Sequence, residues 1–200
     1  ADLHATTASA STLLNLNAQQ DLSIAGGAYS VSGGGGTAQL YAGRDLFVST
    51  GADIQANSIQ MNAGNNATLN SPVVRGFNML DVTAVHGLSV SSGSFSGVSS
   101  STSQLKLTAG GGSFDTLSLN GNPTFSNLRD ISLSASTINL TDVNFPGTST
   151  VNLYSQLGQL APNPNSNAAS VPGHVNFIQN VNYGGVPAQL YVGSTINISA

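Results

Sequence analysis

Apolar residues in this chain come in short beats, two positions apart, and the beats recur. From Gln39 to Leu69 they are Leu40, Leu46 and Val48, Ile54, Ile59 and Met61, and Leu69, set among Gly, Asn, Asp and Ser. A spacing of two is the strand period, because alternate side chains of a strand point to the same face. Nowhere does the i, i+3, i+4, i+7 pattern of an amphipathic helix persist. Leu22 and Ile24 are followed 24 residues later by Leu46 and Val48, and Leu40 is followed 21 residues later by Met61. Further pairs stand at Leu88 and Val90, Leu105 and Leu107, Leu117 and Leu119, Ile131 and Leu133, Ile138 and Leu140, Val151 and Leu153, and Val175 and Phe177. The tetrapeptide AQLY occurs at Ala38–Tyr41 and again at Ala188–Tyr191.

A period of roughly 20 to 25 residues holding three short strands points to a solenoid. The LxxLxLxxN signature of a leucine-rich repeat is missing. The pattern predicts an all-β parallel β-helix of about seven to eight coils, each strand pairing with its equivalent in the next coil about 4.8 Å away. Residues 1–200 then form one domain, opening with a small-residue leader over 1–13 and interrupted by a Pro- and Asn-rich loop over 157–173. The Ser-rich stretch Ser91–Ser103 reads as a loose turn or outer loop. An antiparallel sandwich would also use many short strands. Its hairpin signal, Asn-Gly, occurs once, at Asn120-Gly121, and the three-beat period argues for the solenoid.

Composition narrows the function classes. Charged residues are 6% of the chain, against about 25% in typical soluble domains. There is no Glu, one Lys (Lys106) and three Arg (Arg44, Arg75 and Arg129), with a net charge of −4. No basic patch is present to bind nucleic acid through its phosphates. No apolar run approaches the roughly 18 residues of a transmembrane helix. The absence of Cys removes disulfides and thiolate metal sites, and is compatible with export. The chain begins at Ala1, as a processed mature chain or an excised fragment would.

Candidate chemistry is sparse. Asp21, Asp45 and Asp130 each precede an apolar beat, where Asp makes turns by bonding nearby backbone. Asp21 and Asp45, 24 apart with Arg44 beside them, are expected to stack on adjacent coils as a turn ladder rather than as a catalytic pair. Asp115 and Asp142 have no acidic neighbour, and His4, His86 and His174 stand isolated, without the i+2 or i+4 partner of a metal site. Gly33–Gly36 and Gly110–Gly112 are turns, since neither leads into the Lys-Ser/Thr of a phosphate loop. An ice-binding face would need Thr-x-Thr in successive coils, and Thr148-Ser-Thr150 is nearly alone. Phe95, Phe114, Phe125, Phe145 and Phe177 fall near once per coil and are expected to stack inside; any that face outward would form a contact stripe for another molecule or a sugar. No catalytic, metal or cofactor residue is assigned, and no enzyme activity is expected.

LNAQQDLSIAGG, LYAGRDLFVSTGADIQANSIQMNAGNNATL and LRDISLSASTINL resemble the repeats of filamentous-haemagglutinin-type bacterial adhesins and related autotransporter passengers. That resemblance covers most of the chain. It implies a right-handed β-helical shaft, secreted or held at the bacterial surface.

Solenoid ends expose strand edges that template association. The partial pieces at the two ends of the chain together make about one coil. They predict end-to-end stacking of copies through Leu14 and Leu16 at one end and Ile196 and Ile198 at the other. A fragment cut from a longer shaft accounts for the same ends. The expected function is an extracellular or surface structural protein, a β-helical shaft or self-assembling fibre subunit of an adhesin or matrix. Its expected partners are itself and host or matrix glycans. The alternative is a carbohydrate-binding or polysaccharide-degrading β-helix, for which carboxylates would have to converge in one groove.

Overall fold

In this computed structural model the chain winds through successive coils of three short strands. The structure describes residues 1–4, 6–110, 115–145, 150–155, 174–179, 188–192 and 195–198, with side chains described as far as residue 154. The first coil holds β1 (Asp2–His4), β2 (Ala8–Ala10) and β3 (Leu13–Ala18); the second β4 (Leu22–Ala25), β5 (Ala28–Val31) and β6 (Thr37–Ala42). The third has β7 (Leu46–Ser49), β8 (Asp53–Gln55) and β9 (Ser58–Ala63), and the fourth β10 (Ala67–Asn70), β11 (Val73–Phe77) and β12 (Met79–Ala84). Then come β13 (Gly87–Ser91), β14 (Ser94–Gly97) and β15 (Gln104–Ala109), followed by β16 (Thr116–Asn120), β17 (Thr124–Ser126) and β18 (Asp130–Ser134). The last described strands are β19 (Thr137–Thr141), β20 (Thr150–Ser155), β21 (His174–Gln179), β22 (Ala188–Val192) and β23 (Thr195–Ile198).

Strands at the same position of successive coils pair in parallel, building three sheets. The first runs from β1 to β23 through nine strands, the second from β2 to β17 through six, and the third from β3 to β22 through eight. The chain is therefore a parallel β-solenoid of about seven turns, and the antiparallel sandwich is excluded. The expected spacings hold: Leu22 pairs with Leu46, Ile24 with Val48, and Leu40 with Met61. The two AQLY copies both lie on the third sheet, in β6 and β22.

Alternation decides what goes inside. In the first sheet Ile24, Val48, Leu69, Val90, Leu119 and Leu140 form one inward row, all buried. In the third sheet Leu40, Met61, Val82, Leu107, Leu133 and Leu153 do the same. Burying each such side chain contributes about 1.5–3 kcal/mol. At the last residue of the third-sheet strands the inward row is all alanine: Ala18, Ala42, Ala63, Ala84 and Ala109. A column of buried rings runs along the second sheet and continues past its last strand. Phe95 stacks on Phe125 and Phe125 on Phe145, each pair with ring centroids 5.7 Å apart. Phe114 and the side chain of Phe177 lie outside the described residues.

The corner between the first and second sheets imposes its own chemistry. Gly26 and Gly27, Gly51, Ser71, Ser92 and Gly93, Gly121 and Asn122, and Asp142 all have positive φ there, one coil after another. Only Gly, and among other residues short polar ones such as Asn, Asp and Ser, take that conformation readily. This explains why those residue types separate the beats.

Two segments carry more order than the sequence pattern suggests. Residues 1–13 contain β1 and β2, which pair with β4 and β5 as the opening coil instead of leading into it. Ser91–Ser103 contains β14, whose Phe95 lies in the core. The long loop over 157–173 falls outside the described residues.

Candidate functional site

Three features could carry function: the open edge of the first coil, the corner between the third and first sheets, and a groove on the outer face of the first sheet.

At the first coil, β1, β2 and β3 are each the outermost strand of their sheet, so one side of each offers N–H and C=O groups with no strand partner among the described residues. Leu14 and Leu16 lie on β3, half-buried, whereas Ala38 and Leu40 in register with them on β6 are buried. Beside them Leu13 is 51% exposed. Ile196 and Ile198 lie on β23, the opposite outermost strand of the first sheet. The four residues therefore do not face one another by register. Ile198 shares its row with Leu3 of β1, and Leu16 shares its row with Leu190 of β22.

The corner is a ladder of side chains that bond from coil to coil. The N–H of Asp45 donates to Asp21 Oδ1 at 3.2 Å, that of Asn66 to Asp45 Oδ1 at 3.1 Å, and that of Gly87 to Asn66 Oδ1 at 3.0 Å. Each carboxylate or amide thus serves the backbone of the next coil, not its own turn, because the equivalent residue lies only one strand spacing away. Arg44 clamps Asp21 through both Nε and Nη2, and its Nε lies 3.4 Å from Asp45 Oδ2. Asp130 is different. It opens β18, with Arg129 Nε at 2.7 Å and Gln104 Nε2 at 3.2 Å.

Arg44's hydrogen bonds hold the Asp21 carboxyl below its usual range; burial opposes this, and the Asp45 N–H reinforces it. A folded-state value below the unfolded one means that Asp21 stabilises the fold above the ordinary carboxyl range, near pH 4, and loses that contribution as pH falls through the folded value. Replacing Arg44 with glutamine is therefore expected to move the Asp21 titration, followed by carboxyl NMR from pH 6 to 2, up toward the ordinary range. An unchanged titration would show that Arg44 is not the cause.

His86 is not isolated. Its Nδ1 lies 3.2 Å from Asp115 Oδ1, with Asp115 5% exposed and His86 59% exposed. The partner is 29 residues away in sequence and one coil away in space, beyond any i+2 or i+4 search. No group of three or more His, Cys, Asp or Glu able to hold a metal occurs among the described residues.

The groove has a cavity volume of about 410 Å³ and is lined by Asp45, Phe47, Asn66, Thr68, Ser89 and Ser118, among others. The outward row of the first sheet crosses it as Phe47, Thr68, Ser89 and Ser118. Phe47 is the one large apolar residue of that row, 42% exposed. Sequence alternation could have singled it out, since it sits at the outward position between Leu46 and Val48.

Among the described residues, fold and surface together define a β-solenoid whose first-coil strands have an unpaired edge and whose first sheet carries a hydroxyl-rich outer row. No protein-family model, curated protein or solved structure matches the chain.

Proposed function

We propose that this chain is an extracellular structural protein of the bacterial surface, a β-helical shaft unit that stacks end to end into fibres. The observation that carries this reading is the first coil. Among the described residues, its backbone edges and half-buried leucines form a surface of the kind that the second to sixth coils bury against the coil before. A second copy would continue the stack by strand addition. It would set Ile198 over the Leu3 row and Leu190 over the Leu16 row. The scarcity of charge, at 6% of residues, leaves few like charges to oppose such close stacking.

The reading assigns no catalysis. Asp21 and Asp45, on adjacent coils, are engaged by Arg44, backbone N–H groups and the Asn65 side chain, which donates to Asp45 at 2.8 Å. A glycosidase needs one of its two carboxyls free to hold a proton and the other free to attack or to activate water.

The test is light scattering with negative-stain microscopy over a concentration series. Nine strands in the first sheet, with the step across the junction included, make nine steps of about 4.8 Å, so a subunit should add about 43 Å to a fibre. Fibres that lengthen with concentration, and that Leu16→Asp abolishes while far-UV circular dichroism is retained, are the expected result. A monodisperse monomer at all concentrations would overturn self-assembly.

A further inference from the structure

Along the outer face of the first sheet the residues in register are Ser23, Phe47, Thr68, Ser89, Ser118 and Asn139. Five are small or polar and one is an exposed ring. The row thus places a flat apolar surface within a file of hydroxyls, of which Thr68, Ser89 and Ser118 follow it at one coil step, about 4.8 Å. A hydroxyl is both donor and acceptor, so such a file can pair with a ligand whose own groups are hydroxyls.

The neighbouring row makes the depression. Asp45 and Asn66 carry side chains there, Gly87 has none, and Thr116 follows. A Cβ on Gly87 would come 2.7 Å from Asn66 Oδ1, so glycine is what lets the Asn66 amide lie across this position. The groove therefore combines a ring, a hydroxyl file and an amide in one concave strip, the mix of apolar surface and few fixed polar groups that small-molecule sites use.

Charge selects among ligands with that chemistry. All four cations of the chain lie against carboxylates: Arg44 against Asp21, Arg75 against Asp53 at 2.7 Å, Lys106 against Asp81 at 3.5 Å, and Arg129 against Asp130 at 2.7 Å. Near the groove three carboxylates, Asp21, Asp45 and Asp115, stand against the single guanidinium of Arg44, with His86 beside them. An anionic chain would meet this excess of negative charge and no unengaged cation among the described side chains. A neutral one would meet neither penalty.

We propose that this groove binds a neutral glycan, one pyranose face stacking on Phe47 and the next sugars hydrogen-bonding along Thr68, Ser89 and Ser118. A pyranose ring has an apolar C–H face and an equatorial rim of hydroxyls, and its width is close to one coil step. The site lies in the third to sixth coils, away from the first-coil edge, so it is independent of the assembly reading and fails or stands separately from it.

The chain has no Trp, so Phe47→Trp supplies one fluorophore inside the site while keeping an aromatic platform. Neutral hexasaccharides of β-1,4-glucan, chitin and mannan, with a heparin hexasaccharide as the anionic comparison, are titrated against Phe47→Trp by fluorescence and against wild type and Phe47→Ala by calorimetry. At least one neutral hexasaccharide should shift the emission and bind wild type, and Phe47→Ala should weaken that binding at least about tenfold with its melting temperature unchanged. Binding of heparin alone, binding of none of the probes, or equal binding to wild type and Phe47→Ala would overturn the proposal.

Discussion

Replacing Phe125 with alanine is expected to destabilise the solenoid by about 3–5 kcal/mol, more than the same change at Phe95. Phe125 is the middle ring of a column, stacked on Phe95 at an interplanar angle of 27° and on Phe145 at 8°. The 5.7 Å centroid distance exceeds one coil step of about 4.8 Å, so the rings are displaced sideways as well as stacked, the arrangement aromatic pairs prefer. Truncation at Phe125 breaks both ring pairs and leaves a void between two coils. At Phe95 it breaks the pair with Phe125, because in register on the other side stands Val74. Burial alone predicts the opposite order, since Phe95 is 1% exposed and Phe125 is 6%. Urea unfolding of both variants decides between the two, and a smaller loss at Phe125 would show that the column adds nothing beyond area. Because a solenoid is stabilised by nearest-neighbour contacts, hydrogen exchange should quicken first in β14, β17 and the strands flanking them. The inward rows from Leu22 to Leu69 should stay protected.

That column, and the leucine rows beside it, are the part of the fold most legible in the sequence. Inward positions alternate, and in the central rows they hold large apolar residues, so Leu22 to Leu46 and Leu40 to Met61 reveal coil neighbours directly. What stayed hidden has a common physical cause. In a solenoid each residue's neighbours lie one coil away, and the length of a coil is not constant. From Leu46 to Ala67 and from Ala67 to Leu88 the step is 21 residues, but from Leu88 to Leu117 it is 29. No fixed offset therefore leads from His86 to Asp115. Strands with few large side chains are also invisible to a hydrophobic pattern. Residues 2–4 and 8–10 pair as strands while Leu3 is their one large apolar residue, and β14 shows only Phe95. The end residues suffered from the threefold organisation: Leu14 and Leu16 belong to the third sheet and Ile196 and Ile198 to the first, a distinction that needs every strand of every coil counted. The groove at Phe47 is hidden for a simpler reason: Phe47 lies outside the once-per-coil set of phenylalanines and sits at an outward position between two core residues.

Substituting alanine for Gly93 is expected to cost at least about 2 kcal/mol, although it adds a single methyl group at a surface corner. Two independent costs act on that methyl. The backbone of Gly93 has φ of 98°, outside even the left-handed region near +57° that other residues occasionally visit. A Cβ built there would also stand 2.8 Å from the carbonyl oxygen of Pro72 and 2.9 Å from its Cδ. Neither atom can swing aside as the tip of a flexible side chain would. The proline ring is rigid, and its carbonyl is held in the coil stack by accepting the N–H of Ser94 at 2.9 Å. The comparison that isolates this mechanism is Ser71→Gly, at the same corner one coil earlier, where φ is 55°. Serine already tolerates that conformation, and the change relieves mild strain while freeing the unfolded chain. Its stability should therefore stay within about 0.5 kcal/mol of wild type. If Gly93→Ala matched Ser71→Gly in chemical denaturation, the corner would be a permissive loop, and the recurrence of Gly, Ser, Asn and Asp there would need a cause other than backbone geometry. If the two separate as expected, the corner is a fixed turn imposed by coil stacking. Its residue types would then be dictated by φ in each coil, independently of any ligand the outer faces carry.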